Sequence, residues 1–123
     1  MKVLVVEDNT LVAGMICSYV GEIPGLVICD IATTATEAIE AIRMEQPDIV
    51  TLDIRLAEGT GFDVLKAMSD LNPSPRVMVL SNEDPTMVAG RCSLLGAERY
   101  FDKSTQFMMF ISVLNDWASS AQR

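Results

Sequence analysis

The chain has 123 residues, the size of one domain, and half of them are hydrophobic, enough to bury a core without disulfide or metal staples. Nine Lys and Arg stand against 17 Asp and Glu, a net charge of -8, which opposes contact with nucleic-acid phosphates and with an anionic membrane surface. There is no histidine, so Ser-His-Asp triads, Cys-His pairs and His-ligated zinc are excluded.

Five strand-like and five helix-like segments alternate along the chain. Val3 to Val6 is a short β-branched run that reads as a buried strand. Leu11, Val12, Met15, Ile16, Tyr19 and Val20 recur at helical spacing, and Gly21 with Pro24-Gly25 ends that helix. Leu26 to Ile31 is a second strand, placed at an edge by Asp30. Thr34 to Glu45 is helical and Pro47 stops it. Ile49 to Leu52 is the third strand. A loop with Gly59 and Gly61 leads to a helix bearing Phe62, Val64, Leu65 and Met68. Val77 to Leu80 is the fourth strand. Asp84 caps the next helix with Pro85 at its first position, and Gly96 ends it. Arg99 to Phe101 is a short fifth strand. Ser104 or Thr105 opens a final helix whose apolar face carries Phe107, Phe110, Ile111, Leu114 and Ala118.

Strands alternating with helices imply right-handed βαβ units and a parallel sheet. The first, third and fourth strands are the most apolar and belong in the centre. The expected fold is a single doubly wound, flavodoxin-like five-stranded sheet of order 2-1-3-4-5 over residues 1–123. Cys17, Cys29 and Cys92 lack metal-ligand spacing and read as buried small hydrophobes in a reducing compartment. The opening apolar run is too short for a signal sequence, and no stretch approaches a membrane span. The expectation is a cytoplasmic protein.

Polar groups collect after the strands: Glu7-Asp8 after the first, Asp53 after the third, Ser81-Asn82 after the fourth, Asp102-Lys103 after the fifth. In a parallel sheet these ends share one edge, and ligands bind there at the switch in strand order. Three converging carboxylates repel one another. A hard divalent cation relieves that repulsion, and Mg²⁺ needs only one or two direct carboxylates. Three acids, a lysine and a hydroxyl describe a pocket for Mg²⁺ and a phosphoryl group. Taken singly, each feature is more often a turn, a cap or a surface charge. Their joint placement at four strand ends carries the inference.

These residues make the chain resemble the receiver domain of two-component response regulators, of the kind seen in chemotaxis regulators. The likeness rests on Val3-Leu4-Val5-Val6-Glu7-Asp8, on Asp48-Ile49-Val50-Thr51-Leu52-Asp53, on Gly61, on Ser81, and on Tyr100 three residues before Lys103. It implies that Asp53 accepts a phosphoryl group from a histidine kinase or histidine phosphotransferase. It implies Mg²⁺, or Mn²⁺ in its place, bound by Asp8 and Asp53, by Glu7 through water and by the backbone carbonyl of Arg55. Lys103 would pair with a phosphoryl oxygen. Ser81 would bind another on activation, and Tyr100 would turn inward into the space Ser81 vacates. The output would be a protein docked on the face of the fourth helix, fifth strand and fifth helix, with Met87, Arg91, Leu94, Tyr100, Met109 and Val113 as candidates. The donor would dock on the first helix near Thr10, Leu11 and Gly14. The chain would be a monomer, or a dimer formed on phosphorylation, and a signalling domain rather than a turnover enzyme.

Three positions depart from the family pattern. Ala57 stands near where a proline is common. Ser104 follows Lys103 where the family often has a proline in a cis bond, and a cis bond before a non-proline residue costs ~3 kcal/mol. Asn82 is larger than the usual small residue and narrows access to the phosphoryl group. Arg55 and Glu83 carry opposite charges at the rim and are expected to pair across it, slowing attack by water. Rival readings are a Mg²⁺-dependent haloacid-dehalogenase-like phosphohydrolase, a flavodoxin-like cofactor binder and a phosphorylation-inert docking module. The first needs a second acid where Arg55 stands. The second is opposed by the acidic first loop. The third sits poorly with a complete pocket. No output element follows the last helix, so the expectation is a stand-alone regulator or a piece of a longer one.

Overall fold

The computed structural model describes residues 1–121; residues 122 and 123 of the expected domain lie outside the described residues. The elements run β1 (Lys2–Val6), α1 (Thr10–Gly21), β2 (Val27–Ala32), α2 (Ala35–Glu45), β3 (Ile49–Leu52), α3 (Gly61–Met68), β4 (Arg76–Ser81), α4 (Pro85–Leu94), β5 (Arg99–Asp102) and α5 (Phe107–Ala121). All strand pairs are parallel and their order is β2-β1-β3-β4-β5, as expected.

Side chains alternate across a strand, so the sheet builds two cores. Leu4, Val6, Val50, Leu52, Val77 and Val79 pack under the helices α2, α3 and α4. Val3, Val5, Ile49, Met78, Leu80 and Phe101 face α1 and α5. The central strands are apolar on both faces because both are covered. The cysteines divide: Cys92 is buried as expected, whereas Cys17 and Cys29 are half-buried. Burial raises all three thiols above their ordinary value, which leaves little reactive thiolate near neutral pH.

Helix starts follow side-chain chemistry. Asn9 Oδ1 accepts from the N–H groups of Leu11 and Val12 and starts α1. Thr60 and Asp63 form a reciprocal capping box on α3. Asp84 caps α4, with Pro85 in its first turn. The last helix departs from the expectation. Asp102 Oδ1 accepts from the Ser104 and Thr105 N–H groups, so these residues form a turn and α5 starts only at Phe107.

Register fixes the functional edge. Val6 lies beside Leu52, and Leu52 beside Val79. Beyond them, the Asp53 N–H donates to the Val6 carbonyl at 3.0 Å, and the Lys103 N–H to the Ser81 carbonyl at 2.9 Å. Glu7, Asp53, Ser81 and Lys103 are thus held by the ladder itself.

Candidate phosphoryl and metal site

Glu7 and Asp53 are 2% and 5% exposed, Ser81 is fully buried and Asp8 is open to solvent. One carboxylate oxygen from each of Glu7, Asp8 and Asp53 lies within 4.8 Å of the others. The Lys103 ammonium sits 2.8 Å from Glu7 Oε1 and 2.9 Å from Asp53 Oδ2. Glu7 Oε2 also accepts from the Asn9 N–H at 3.1 Å. Burial pushes the Glu7 carboxyl up to about 7, with Asp53 adding to the rise and Lys103 opposing it. Burial works against the Lys103 charge, but hydrogen bonds to Glu7 and Asp53 more than offset it and hold its value above the ordinary one.

With all three carboxylates ionised, one ammonium leaves two negative charges at one spot. All the acidic donors are oxygens, which hard cations prefer. This donor set fits a divalent cation of the Mg²⁺ class.

The cavity above Asp53 has a volume of about 400 Å³, and Asp8, Asn9, Arg55, Ser81, Asn82, Glu83 and Lys103 complete its walls. The expected Arg55–Glu83 pair is present, with Arg55 Nε on Glu83 Oε1. Asn82 is exposed on the rim, and Ser104 Oγ reaches its Oδ1 at 3.5 Å. Among the described residues the cis peptide is Asn72–Pro73, so Lys103–Ser104 is trans, and Lys103 spans both acids from a trans backbone. Ala57 is not at the pocket: its N–H donates to the Thr33 carbonyl at 3.1 Å, which draws it toward the β2–α2 connection. A larger cavity of about 560 Å³ opens beside Arg43, Asp48 and Pro73, away from the acid cluster.

Tyr100 packs inward against the α2–α3–α4 core. Its hydroxyl donates to the Glu83 carbonyl at 2.9 Å, which anchors it there. Ser81 Oγ accepts from the Glu83 N–H at 3.3 Å. Asn9 was not among the expected site residues, although an Asn directly before an apolar helical run is an N-cap signal. Gly61 has a steric reason: a Cβ there would lie 2.6 Å from the Asp53 carbonyl oxygen and 3.0 Å from Ile54 Cα.

The model of the response regulator receiver domain matches residues 3–115. The chain belongs to that family. It is 32% identical over 104 residues to a protein-glutamate methylesterase/protein-glutamine glutaminase of Burkholderia lata, covering 84% of this chain and 29% of the relative. The chain spans less than a third of the length of the curated relatives it matches. Its fold matches the response regulator domain of Thermotoga maritima CheB, with a TM-score of 0.84, 23% identity, and 98% and 95% of the two chains covered. It also matches a LuxR-family two-component response regulator from Aurantimonas sp., with a TM-score of 0.86, 20% identity, and 97% and 85% covered. At such identities the likeness speaks for the fold. Receiver domains are signalling domains that bind Mg²⁺ at an acidic pocket and interact with histidine kinases and downstream effectors. Among the described residues no helix is long and apolar enough to cross a membrane.

Proposed function

We propose that Asp53 accepts a phosphoryl group from a histidine kinase or histidine phosphotransferase in a Mg²⁺-dependent reaction, and that the product switches the α4–β5–α5 face as a docking surface for a protein. The observation that carries this reading is the placement of the Asp53 carboxylate: buried, bridged by Lys103 to Glu7, and open to a polar cavity with room for a phosphoryl group. An Asp53 carboxylate oxygen attacks phosphorus. The P–N bond to the donor imidazole breaks as the O–P bond forms, and its electron pair stays on the imidazole. Lys103 holds Asp53 in place and then meets a phosphoryl oxygen. The Ser81 hydroxyl meets another. Phosphoryl transfer needs this positioning and charge neutralisation more than covalent machinery. Glu7, Asp8, Asp53 and the Arg55 carbonyl would hold Mg²⁺, which when bound offsets charge on the attacking carboxylate and the phosphoryl oxygens.

A phosphohydrolase reading lacks its second acid. Arg55 stands there, and a guanidinium does not give up a proton near neutral pH. The absence of histidine likewise keeps a Ser-His hydrolase site from being built of these residues, so esterase or glutaminase activity is not proposed for them. The test is incubation of the chain with Mg²⁺ and acetyl phosphate, followed by intact mass and peptide mapping. The expected result is one added phosphoryl group on Asp53, absent from Asp53→Ala and absent when Mg²⁺ is chelated. Modification that survives Asp53→Ala, or steady turnover of phosphate esters, would overturn the reading. Trp117 is a poor reporter for this reaction, because it stacks on Arg76 at the start of β4, the far end of the sheet.

A further inference from the structure

Lys103 holds its ammonium 2.8 Å from Glu7 Oε1 and 2.9 Å from Asp53 Oδ2. A lysine stem is flexible and costly to immobilise, so the backbone beneath it must be fixed. On the sheet side it is: the Lys103 N–H donates to the Ser81 carbonyl at 2.9 Å. Beyond that bond the chain leaves β5, and residues 103–106 lead to α5. Asp102 and Gln106 clasp this link from both sides of Lys103. Asp102 Oδ1 accepts from the Ser104 N–H at 2.9 Å, from Ser104 Oγ at 2.8 Å and from the Thr105 N–H at 3.1 Å. The Asp102 N–H donates to Gln106 Oε1 at 2.8 Å, and the Gln106 N–H donates back to the Asp102 carbonyl at 2.9 Å. Ser104 Oγ also lies 3.5 Å from Asn82 Oδ1. It has one proton to give, and the shorter bond to a charged acceptor wins.

Resting on the reading of Asp53 as the acceptor, we infer that Asp102 is a positioning residue for phosphoryl transfer: its carboxylate, clasped by Gln106, folds the turn that holds Lys103 between Asp53 and Glu7. Ser104 lacks the locked φ of a proline, so the backbone after Lys103 is fixed by hydrogen bonds instead. The role is one of geometry. The Asp102 carboxylate is committed to the amides and hydroxyl of the turn, while the ammonium is committed to the two acids of the pocket. Both ends of the lysine are thereby held, the backbone by the turn and the head by the acids. Loosening the turn lets the ammonium swing away from the line of transfer, and a misplacement of about 1 Å in a positioned group lowers a rate by as much as ~100-fold.

The test uses the full chain and two readouts. One is the rate of phosphorylation by acetyl phosphate with Mg²⁺, read by intact mass. The other is the rate at which an amine-reactive reagent labels Lys103, read by peptide mapping with exposed Lys66 as internal standard. D102A should slow acceptance by about tenfold and speed labelling of Lys103 severalfold, and Q106A should do the same by about threefold. D102N keeps an acceptor at Oδ1 and should stay within about twofold of the native chain in both readouts. Urea unfolding checks that D102A is folded; if it is not, Q106A and D102N carry the test. In a K103A background, itself slow, D102A should slow acceptance no further, because Asp102 acts through Lys103. Equal slowing there would overturn the inference, as would D102N as slow as D102A, or slow acceptance by D102A with Lys103 labelling unchanged. K103A as fast as the native chain would leave Asp102 nothing to act through and would overturn it too. If D53A takes up the phosphoryl group as well as the native chain does, the acceptor reading itself fails and this inference falls with it. Acceptance that requires Asp53 and Lys103 but ignores D102A and Q106A removes only the role of Asp102.

Discussion

Glu7 is 2% exposed beside two other acids, and its carboxyl lies at about 7 instead of 4.5, chiefly through burial. A carboxyl raised on folding binds its proton better in the native state than in the unfolded one. Its contribution to stability is complete below about 4.5 and disappears as pH rises to about 7. Glu37 and Asp102 are shifted the other way by hydrogen bonds from Thr33 and Ser104, so they act at more acid pH. Metal-free chain should therefore lose stability to urea between about pH 5 and pH 8, and Glu7→Gln should remove that slope; an unchanged slope would contradict the assignment. Thr51 poses a different problem on β3. Its hydroxyl is buried with no hydrogen-bond partner, a cost that an apolar isostere avoids. Thr51→Val should raise the unfolding free energy by about 1 kcal/mol, read from the urea midpoint at constant slope. The acids were legible in the sequence because a strand end fixes where a side chain emerges. The orphaned Thr51 hydroxyl was not, since nothing in a β-branched run tells which hydroxyl finds a partner.

The β3–α3 connection shows how an element positions chemistry. The Gly61 N–H donates to the Ile54 carbonyl at 2.8 Å, and the Thr60–Asp63 capping box starts the helix beside it. The backbone of α3 therefore presses on the Asp53 carbonyl, leaving no room for a Cβ. Gly61→Ala should destabilise the chain by ~1–3 kcal/mol, the usual cost of overpacking, and should slow phosphoryl acceptance at Asp53 by more than Thr60→Ala does at matched stability. Equal rates for the two variants would show that Gly61 matters only for folding. The periodicity of α1 was legible, but its sidedness was only half so. Ala13, Ile16 and Val20 enter the core, while Leu11 and Met15 of the same apolar set face solvent. A helix that is apolar nearly all round does not say which stripe the sheet will take. The edge position of β2 was legible from Asp30. The extra residue Cys29, which has no partner between Ile28 and Asp30 in the β1 register, was not; such bulges help keep an edge strand from pairing with another chain.

At the scale of the whole molecule, the two cores consume the apolar residues of the sheet and leave particular large side chains outside. Leu11 on α1 is 78% exposed, beside the mouth of the pocket that Asn9 helps to form. Leu94 at the end of α4 is 89% exposed, and Met87 and Met109 are exposed on α4 and α5. Lone exposed apolar residues are ordinary on a protein surface; what separates these two sites is their distance from the chemistry. On the proposed function, a donor brings its phosphohistidine to Asp53, so its contacts would fall next to the pocket, whereas an effector would need only to sense the switched face. Leu11→Glu should therefore slow transfer from a histidine kinase or phosphotransferase while leaving phosphorylation by acetyl phosphate unchanged, because the small donor touches only the pocket. Leu94→Glu should leave both rates unchanged and weaken capture of the phosphorylated chain's effector. On a chain of net charge -8, one further negative charge changes the overall field little, so a difference between the two variants reports the place of the substitution. Loss of acetyl phosphate reactivity in Leu11→Glu would mean that α1 shapes the pocket itself, and equal behaviour of the two variants toward the kinase would remove α1 as the donor's landing site.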